Sequence, residues 1–126
     1  MKYLVTGSPG WLGNRFLRAL TGNIEELSGI TPIKPDDEIR CLVFPNIKSD
    51  FLEEIDDRIK TVKGDITDKS SLGEFFGDSN GAVLFHLAGI IHPKIWIRQI
   101  YNVNFEGTRN VLECAVANGV QRIIST

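Results

Sequence analysis

Three glycines stand at positions 7, 10 and 13 in the stretch Thr6-Gly7-Ser8-Pro9-Gly10-Trp11-Leu12-Gly13, directly after the apolar run Tyr3-Leu4-Val5. From Trp11 onward Leu12, Phe16, Leu17 and Leu20 recur at helical intervals, so the glycines follow a strand and open a helix. That context suits a diphosphate. The first glycine lets the chain turn sharply, the second lets the main chain approach a pyrophosphate with no Cβ in the way, and the third lets the helix pack closely on its strand. The N–H groups of the first helical turn then face the anion, and the helix dipole adds roughly 0.3–1 kcal/mol. Pro9 donates nothing but fixes one backbone angle of the turn. Trp11 and Leu12 belong to the candidate binding segment by position, while their side chains are expected to anchor the helix in the core. A phosphate-binding loop of nucleotide hydrolases needs Gly-Lys-Ser/Thr at this point. Here Gly13 is followed by Asn14-Arg15, which excludes it.

The elements that must position this turn alternate between strands and helices. Ile24 to Asp37, with Gly29, Pro32 and Pro35, has no sustained period and reads as a surface connection longer than usual. Glu38 to Phe44 reads as a second, buried strand. Ser49 to Ile55 forms a short helix capped by Ser49 or Asp50, and Arg58 to Lys63 a third strand ending at Gly64. Asp68 caps a helix carrying Leu72, Phe75 and Phe76. Ala82 to Leu87 is an almost continuous apolar run, as in a central parallel strand, and Gln121 to Ser125 supplies a fifth. Between them the longest helix, about 95 to 117, stops at Asn118-Gly119. This order predicts an α/β doubly wound parallel sheet with helices on both faces.

On the long helix Ile97, Ile100, Tyr101, Thr108, Val111, Leu112 and Ala115 form one stripe, with Asn104 in its middle. An amide on an apolar face needs hydrogen-bond partners, so Asn104 is expected to make a defined polar contact. Gly107, unfavourable in a helix interior by about 1 kcal/mol, fits a helix lying close to the sheet.

Size and composition bound the rest. With 126 residues and 42% hydrophobic content, the chain suffices for one domain, 1–126. Its net charge is -2 and its basic residues are dispersed, which argues against nucleic acid as a partner. Cys41 and Cys114 are far apart and read as small core residues, without a disulfide framework or metal site. The short apolar start suits neither a secretory signal nor a membrane span, so a soluble cytoplasmic protein with no membrane partner is expected.

Taken together, Thr6-Gly7-x-x-Gly10-x-x-Gly13, Gly64-Asp65-Ile66-Thr67-Asp68, His86-Leu87-Ala88-Gly89 and Asn104-x-x-Gly107-Thr108-x-Asn110 resemble the extended short-chain dehydrogenases/reductases, which include the NAD(P)-dependent epimerases and dehydratases. The resemblance spans essentially the whole chain. It implies a Rossmann-like, three-layer α/β/α fold of about five strands in the order 3-2-1-4-5, with NAD or NADP as cofactor. Asp65 and Ile66 match residues that sit against the adenine, the carboxylate accepting from the exocyclic amine. Leu87, Ala88 and Gly89 match the segment beside the pyrophosphate and ribose, and Asn104 matches an asparagine that orders the active-site end of the helix. His86 is expected to be a satisfied core histidine. His92 lies on the loop nearer the nicotinamide end, within reach of substrate.

Two departures qualify the match. Where an acid usually receives the ribose hydroxyls, or an arginine the extra phosphate, this chain has Val43 and Phe44. Lys48, a few residues later, tilts the expectation slightly toward NADP. The family's Tyr-x-x-x-Lys pair is also missing, since Gly7 and Phe105 stand four residues after Tyr3 and Tyr101. No residue here is therefore assigned a catalytic role, and the chain is expected to be the N-terminal portion of a longer reductase or epimerase acting on a small-molecule substrate. Its last strand would then be an apolar edge covered by further chain or by a partner subunit, as in a homodimer. Two other readings stay open: a dinucleotide sensor without catalysis, and a methyltransferase-like binder of an adenosyl sulfonium compound.

Overall fold

A computed structural model describes residues 1–25, 33–90 and 97–126. Five strands, β1 (Lys2–Thr6), β2 (Glu38–Val43), β3 (Ile59–Lys63), β4 (Val83–His86) and β5 (Arg122–Ser125), form one sheet in the order 3-2-1-4-5. Every pairing is parallel. The helices are α1 (Trp11–Leu20), α2 (Asp50–Ile55), α3 (Gly73–Phe76), α4 (Ile97–Tyr101) and α5 (Thr108–Ala117).

Alternation along the strands gives the sheet two apolar faces, as a parallel sheet requires. Val5, Ile39, Cys41, Val43 and Ile59 pack with Leu17 of α1 and Leu52 of α2 on one side. Leu4, Leu42, Val62 and Leu84 pack with Phe75 and Phe76 of α3 and with Val111 and Ala115 of α5 on the other. Ile59 and Val62 thus face opposite layers. Cys41 lies fully in this core, where burial pushes its thiol up to about 12, and Cys114 packs at the margin.

Several local expectations change. Leu17 fills the core from α1, whereas Trp11 is 83% exposed and Leu12 is 41% exposed, so neither anchors the helix. They sit in the first turn of α1, whose buried residues are Gly13 and Leu17. Ser49 occupies the cap position of α2 without a side-chain bond, and its hydroxyl lies 3.4 Å from Lys63 Nζ instead. Asp68 does cap, accepting from Ser70 N–H, but it caps a 3-10 turn over Lys69–Leu72 that leads into the single turn of α3. Of the expected surface connection, Ile24 and Asp37 are buried.

The largest change is in the long helix, whose expected start at residue 95 lies outside the described residues. Between α4 and α5, residues Asn102–Gly107 form a π-helix. Its wider turn rotates the helix face, so the predicted stripe does not hold. Ile97, Tyr101 and Leu112 are exposed, while Gly107, Val111 and Ala115 are buried. A Cβ on Gly107 would come 2.7 Å from Cδ1 and Cγ1 of Ile66, so the close approach at this glycine is to the loop after β3 and not to a strand of the sheet.

Candidate nucleotide-binding site

The order 3-2-1-4-5 reverses direction between β1 and β4, and a crevice opens there at the carboxyl ends of the strands. The glycine-rich turn closes it from one side. Gly7 has φ +94°, a conformation that suits glycine, and a Cβ there would come 2.6 Å from the Leu87 carbonyl carbon. Gly10 N–H donates to Gly7 O at 3.0 Å, and a Cβ on either Gly10 or Gly13 would strike that same oxygen. Gly10 therefore serves the internal compactness of the turn as well as any approach to a ligand. Helix α1 starts with no side-chain cap and no acid in its first turn, leaving its opening N–H groups free of side-chain acceptors.

Two clefts flank Ala88. The first, of ≈ 200 Å³, lies between Gly7, Ser8, Leu42, Phe44, Asp65, Ile66 and Ala88. It is mostly apolar, and Ile66 and Leu42 reach it from the ends of β3 and β2. The second, of ≈ 390 Å³, lies between Leu12, Leu87, Ala88, Gly89, Ile90, Asn104, Thr108 and Thr126.

Of the residues singled out in the sequence, Gly7, Phe44, Asp65, Ile66 and Ala88 line the first cleft, and Leu12, Leu87, Gly89 and Asn104 line or share the second. Gly10 and Gly13 shape the turn, and Trp11 lines neither cleft. Sequence reasoning did not single out Ser8, Leu42, Val103 and Thr108 as site residues. Leu42 read as part of a buried strand, and Val103 carried no signal of its own; only the side of the strand or π-turn they occupy brings them to the wall. The expectation for His92 lies outside the described residues.

Local bonds explain how the walls are held. Asp65 Oδ1 accepts from the Thr67 N–H at 2.9 Å and from the Thr67 hydroxyl at 2.7 Å, fixing the loop after β3. Asn104 Oδ1 accepts from Ile90 N–H and its Nδ2 donates to Ile90 O, fixing the loop after β4. Asn104 thus makes a defined contact as expected, but from an exposed position on the π-turn and not from a buried apolar stripe. His86 is 1% exposed and bonded on both ring nitrogens by Thr6 and Thr108, as a core histidine should be. Burial holds its pKa below the ordinary histidine value. Phe44, at the mouth, is 46% exposed.

Two polar atoms stand out because they have no partner. Among the described residues, the Ser8 hydroxyl and the side-chain Oδ1 of Asn14 are both buried without a hydrogen bond. Buried polar atoms are normally satisfied, and both of these flank the glycine turn. Among the described residues, no group of His, Cys, Asp and Glu could hold a metal ion, and no helix is long and apolar enough to cross a membrane.

A five-strand parallel sheet with a glycine-rich turn at its switch point defines a Rossmann-like protein of the short-chain dehydrogenase/reductase type. Residues 3–126 match the sequence model described as "NAD dependent epimerase/dehydratase family", and the chain belongs to that family. It is 34% identical over 122 residues to the uncharacterized protein y4nL of Sinorhizobium fredii, covering 96% of this chain and 33% of that one. Identity to 3 beta-hydroxysteroid dehydrogenase type 7 of Mus musculus is 30% over 129 residues, covering 98% and 31% respectively. Among solved structures, epimerase Mth375 of Methanothermobacter thermautotrophicus superimposes with TM-score 0.71 at 27% identity, covering 98% of this chain and 34% of that one. The chain thus spans about a third of the length of these relatives.

Proposed function

We propose that the two clefts hold the two halves of one NAD or NADP molecule, and that the full-length protein is an oxidoreductase or epimerase/dehydratase acting on a small alcohol or carbonyl compound. The observation that carries this reading is the buried, unpartnered Ser8 hydroxyl beside the uncapped first turn of α1. Those groups fit a diphosphate, which offers acceptor oxygens to the free amides and to the hydroxyl. In this arrangement Leu42, Phe44 and Ile66 provide apolar walls for adenine, Asp65 offers its carboxylate to the exocyclic amine, and Leu87, Ala88 and Gly89 line the path beside the ribose.

When bound, the nicotinamide supplies hydride exchange with the substrate carbon. The chain's own residues bind and orient. Asn104 fixes the loop after β4, and the walls of the second cleft reduce the water around the nicotinamide half. A steroid dehydrogenase among the relatives supports an alcohol or carbonyl as the reacting group, and a nucleotide-sugar or sterol-like molecule falls in the same class. The missing Tyr-x-x-x-Lys pair makes this stretch catalytically incomplete on its own, with the acid/base group supplied by other parts of the full-length protein.

Cofactor choice turns on the end of β2. No acid stands there to receive ribose hydroxyls, Lys63 Nζ is engaged by Ile47 O, and Lys48 is exposed nearby. This supports a modest preference for NADP. Calorimetric titration of the full-length protein with NADH, NADPH and S-adenosylmethionine tests the whole reading. Uptake of a nicotinamide dinucleotide is expected, with NADPH the tighter and Lys48→Ala removing the difference. Heat from the methyl donor alone would overturn the assignment.

A further inference from the structure

A buried chain of hydrogen bonds joins the first cleft to the second. Thr6, at the end of β1, has no exposure, and its Oγ1 accepts from the Ala88 N–H at 3.2 Å. The same oxygen lies 2.7 Å from Nδ1 of His86. On the far side of the ring, Nε2 lies 2.9 Å from Oγ1 of Thr108. Burial disfavours the imidazolium form, so one ring nitrogen donates and the other accepts.

The two tautomers are not equivalent. With the proton on Nδ1, the ring donates to Thr6, and the fully buried Thr6 hydroxyl hydrogen has no acceptor among the described residues. An unsatisfied donor there is costly. With the proton on Nε2, Thr6 accepts from Ala88 and donates to Nδ1, while Nε2–H donates to Thr108. Each donor from Ala88 through the ring is then satisfied. The hydrogen left over sits on the Thr108 hydroxyl, which is only half-buried and lines the second cleft beside Asn104 and Ile90.

We propose that Thr108 is a ligand-binding residue whose hydroxyl donates to an acceptor oxygen on the nicotinamide half of the dinucleotide, with His86 as the positioning residue that sets this polarity. The inference rests on the two-cleft reading of the site given above. Its logic is directional: one lone pair of Thr108 is occupied by Nε2–H, and the hydroxyl hydrogen is the donor of the chain that has no acceptor among the described residues. Thr6 ties the same chain to Ala88, the residue shared by both clefts.

Full-length protein titrated with ADP, and with whichever of NADH and NADPH it binds more tightly, separates the possibilities. ADP probes the first cleft, and the complete dinucleotide probes both. Thr108→Val, which keeps the shape and removes the hydroxyl, is expected to weaken the dinucleotide about 3- to 10-fold while leaving ADP unchanged. Thr108→Ser should restore the affinity. Unchanged dinucleotide binding in Thr108→Val, or equal weakening of both ligands, overturns the role of Thr108. If the unsubstituted protein binds neither ligand, the two-cleft reading itself fails. Nitrogen chemical shifts of His86 in the unsubstituted protein give a second test that needs no variant. A protonated Nε2 and bare Nδ1 are expected, and the reverse overturns the proposal.

Discussion

The side-chain amide of Asn104 clasps the main chain of Ile90 at both ends, accepting its N–H at 2.8 Å and donating to its carbonyl at 2.9 Å. Sequence separation between them is 14 residues, so a single side chain on the π-turn sets the course of the loop after β4. The same loop forms a wall of the second cleft.

Asn104→Ala removes both bonds and leaves the Ile90 main chain to water. Each such bond is worth about 0.5–1.5 kcal/mol, so losing both should lower dinucleotide affinity by up to about 5- to 150-fold through loss of loop order. Amide exchange at Ile90 should accelerate in the same variant. Asn104→Asp keeps the acceptor and loses the donor, and an intermediate effect is expected. Exchange at Ile90 unchanged in Asn104→Ala would show that the loop is held by something else.

Ser8→Ala distinguishes a ligand-directed hydroxyl from a structural one. The hydroxyl has no partner in the protein, so removing it should leave stability unchanged or raise it by up to about 1 kcal/mol. Dinucleotide affinity should nevertheless fall about 3- to 10-fold. Urea denaturation and calorimetry measure the two quantities separately.

Gly7→Ala should be poorly tolerated. The new Cβ would overlap the Leu87 main chain, which cannot swing aside, and φ +94° is strained for alanine. A loss of about 3 kcal/mol or more is expected in a denaturant midpoint. Gly107→Ala is the milder contrast, because its obstacle is the Ile66 side chain. There, a gain of up to about 1 kcal/mol in helix propensity opposes the clash, so the loss should be smaller than for Gly7→Ala.

His86 should make stability depend on pH in one direction. Its folded pKa is lowered by burial, while the unfolded ring titrates near its ordinary value of about 6.5. The unfolded chain therefore takes up the proton first, so the contribution of His86 is fully present above about pH 6.5 and is lost as pH falls toward the folded value. Asp56, held below the ordinary carboxylate range chiefly by its bond to Arg58, acts in a separate and more acid window. Urea midpoints should decline for the natural chain as the pH is lowered from about 7.5 to about 5. They should stay nearly flat over the same interval in His86→Gln.

The sequence by itself determined the layering and the place of the glycine turn. These follow from local signals: apolar runs of strand length, a glycine triad between strand and helix, and stops such as Asn118-Gly119. It also identified His86 as a core residue, because a polar group continuing a buried strand has few alternatives; for Asn104 it foretold a defined contact but wrongly placed the residue on a buried face, since the side chain is exposed. Only the tertiary structure decided which partner each found. The π-turn was invisible in the sequence because helical spacing reads the same until neighbours fix the register, and it moved Tyr101 and Leu112 out of the core while bringing Gly107 against Ile66. The exposure of Trp11 was equally hidden, since an apolar residue at a helix start reads the same whether or not other elements pack against it. Thr6, His86 and Thr108 lie on three separate elements. Their alignment into one chain between two clefts is a property of packing, which no spacing along the sequence encodes.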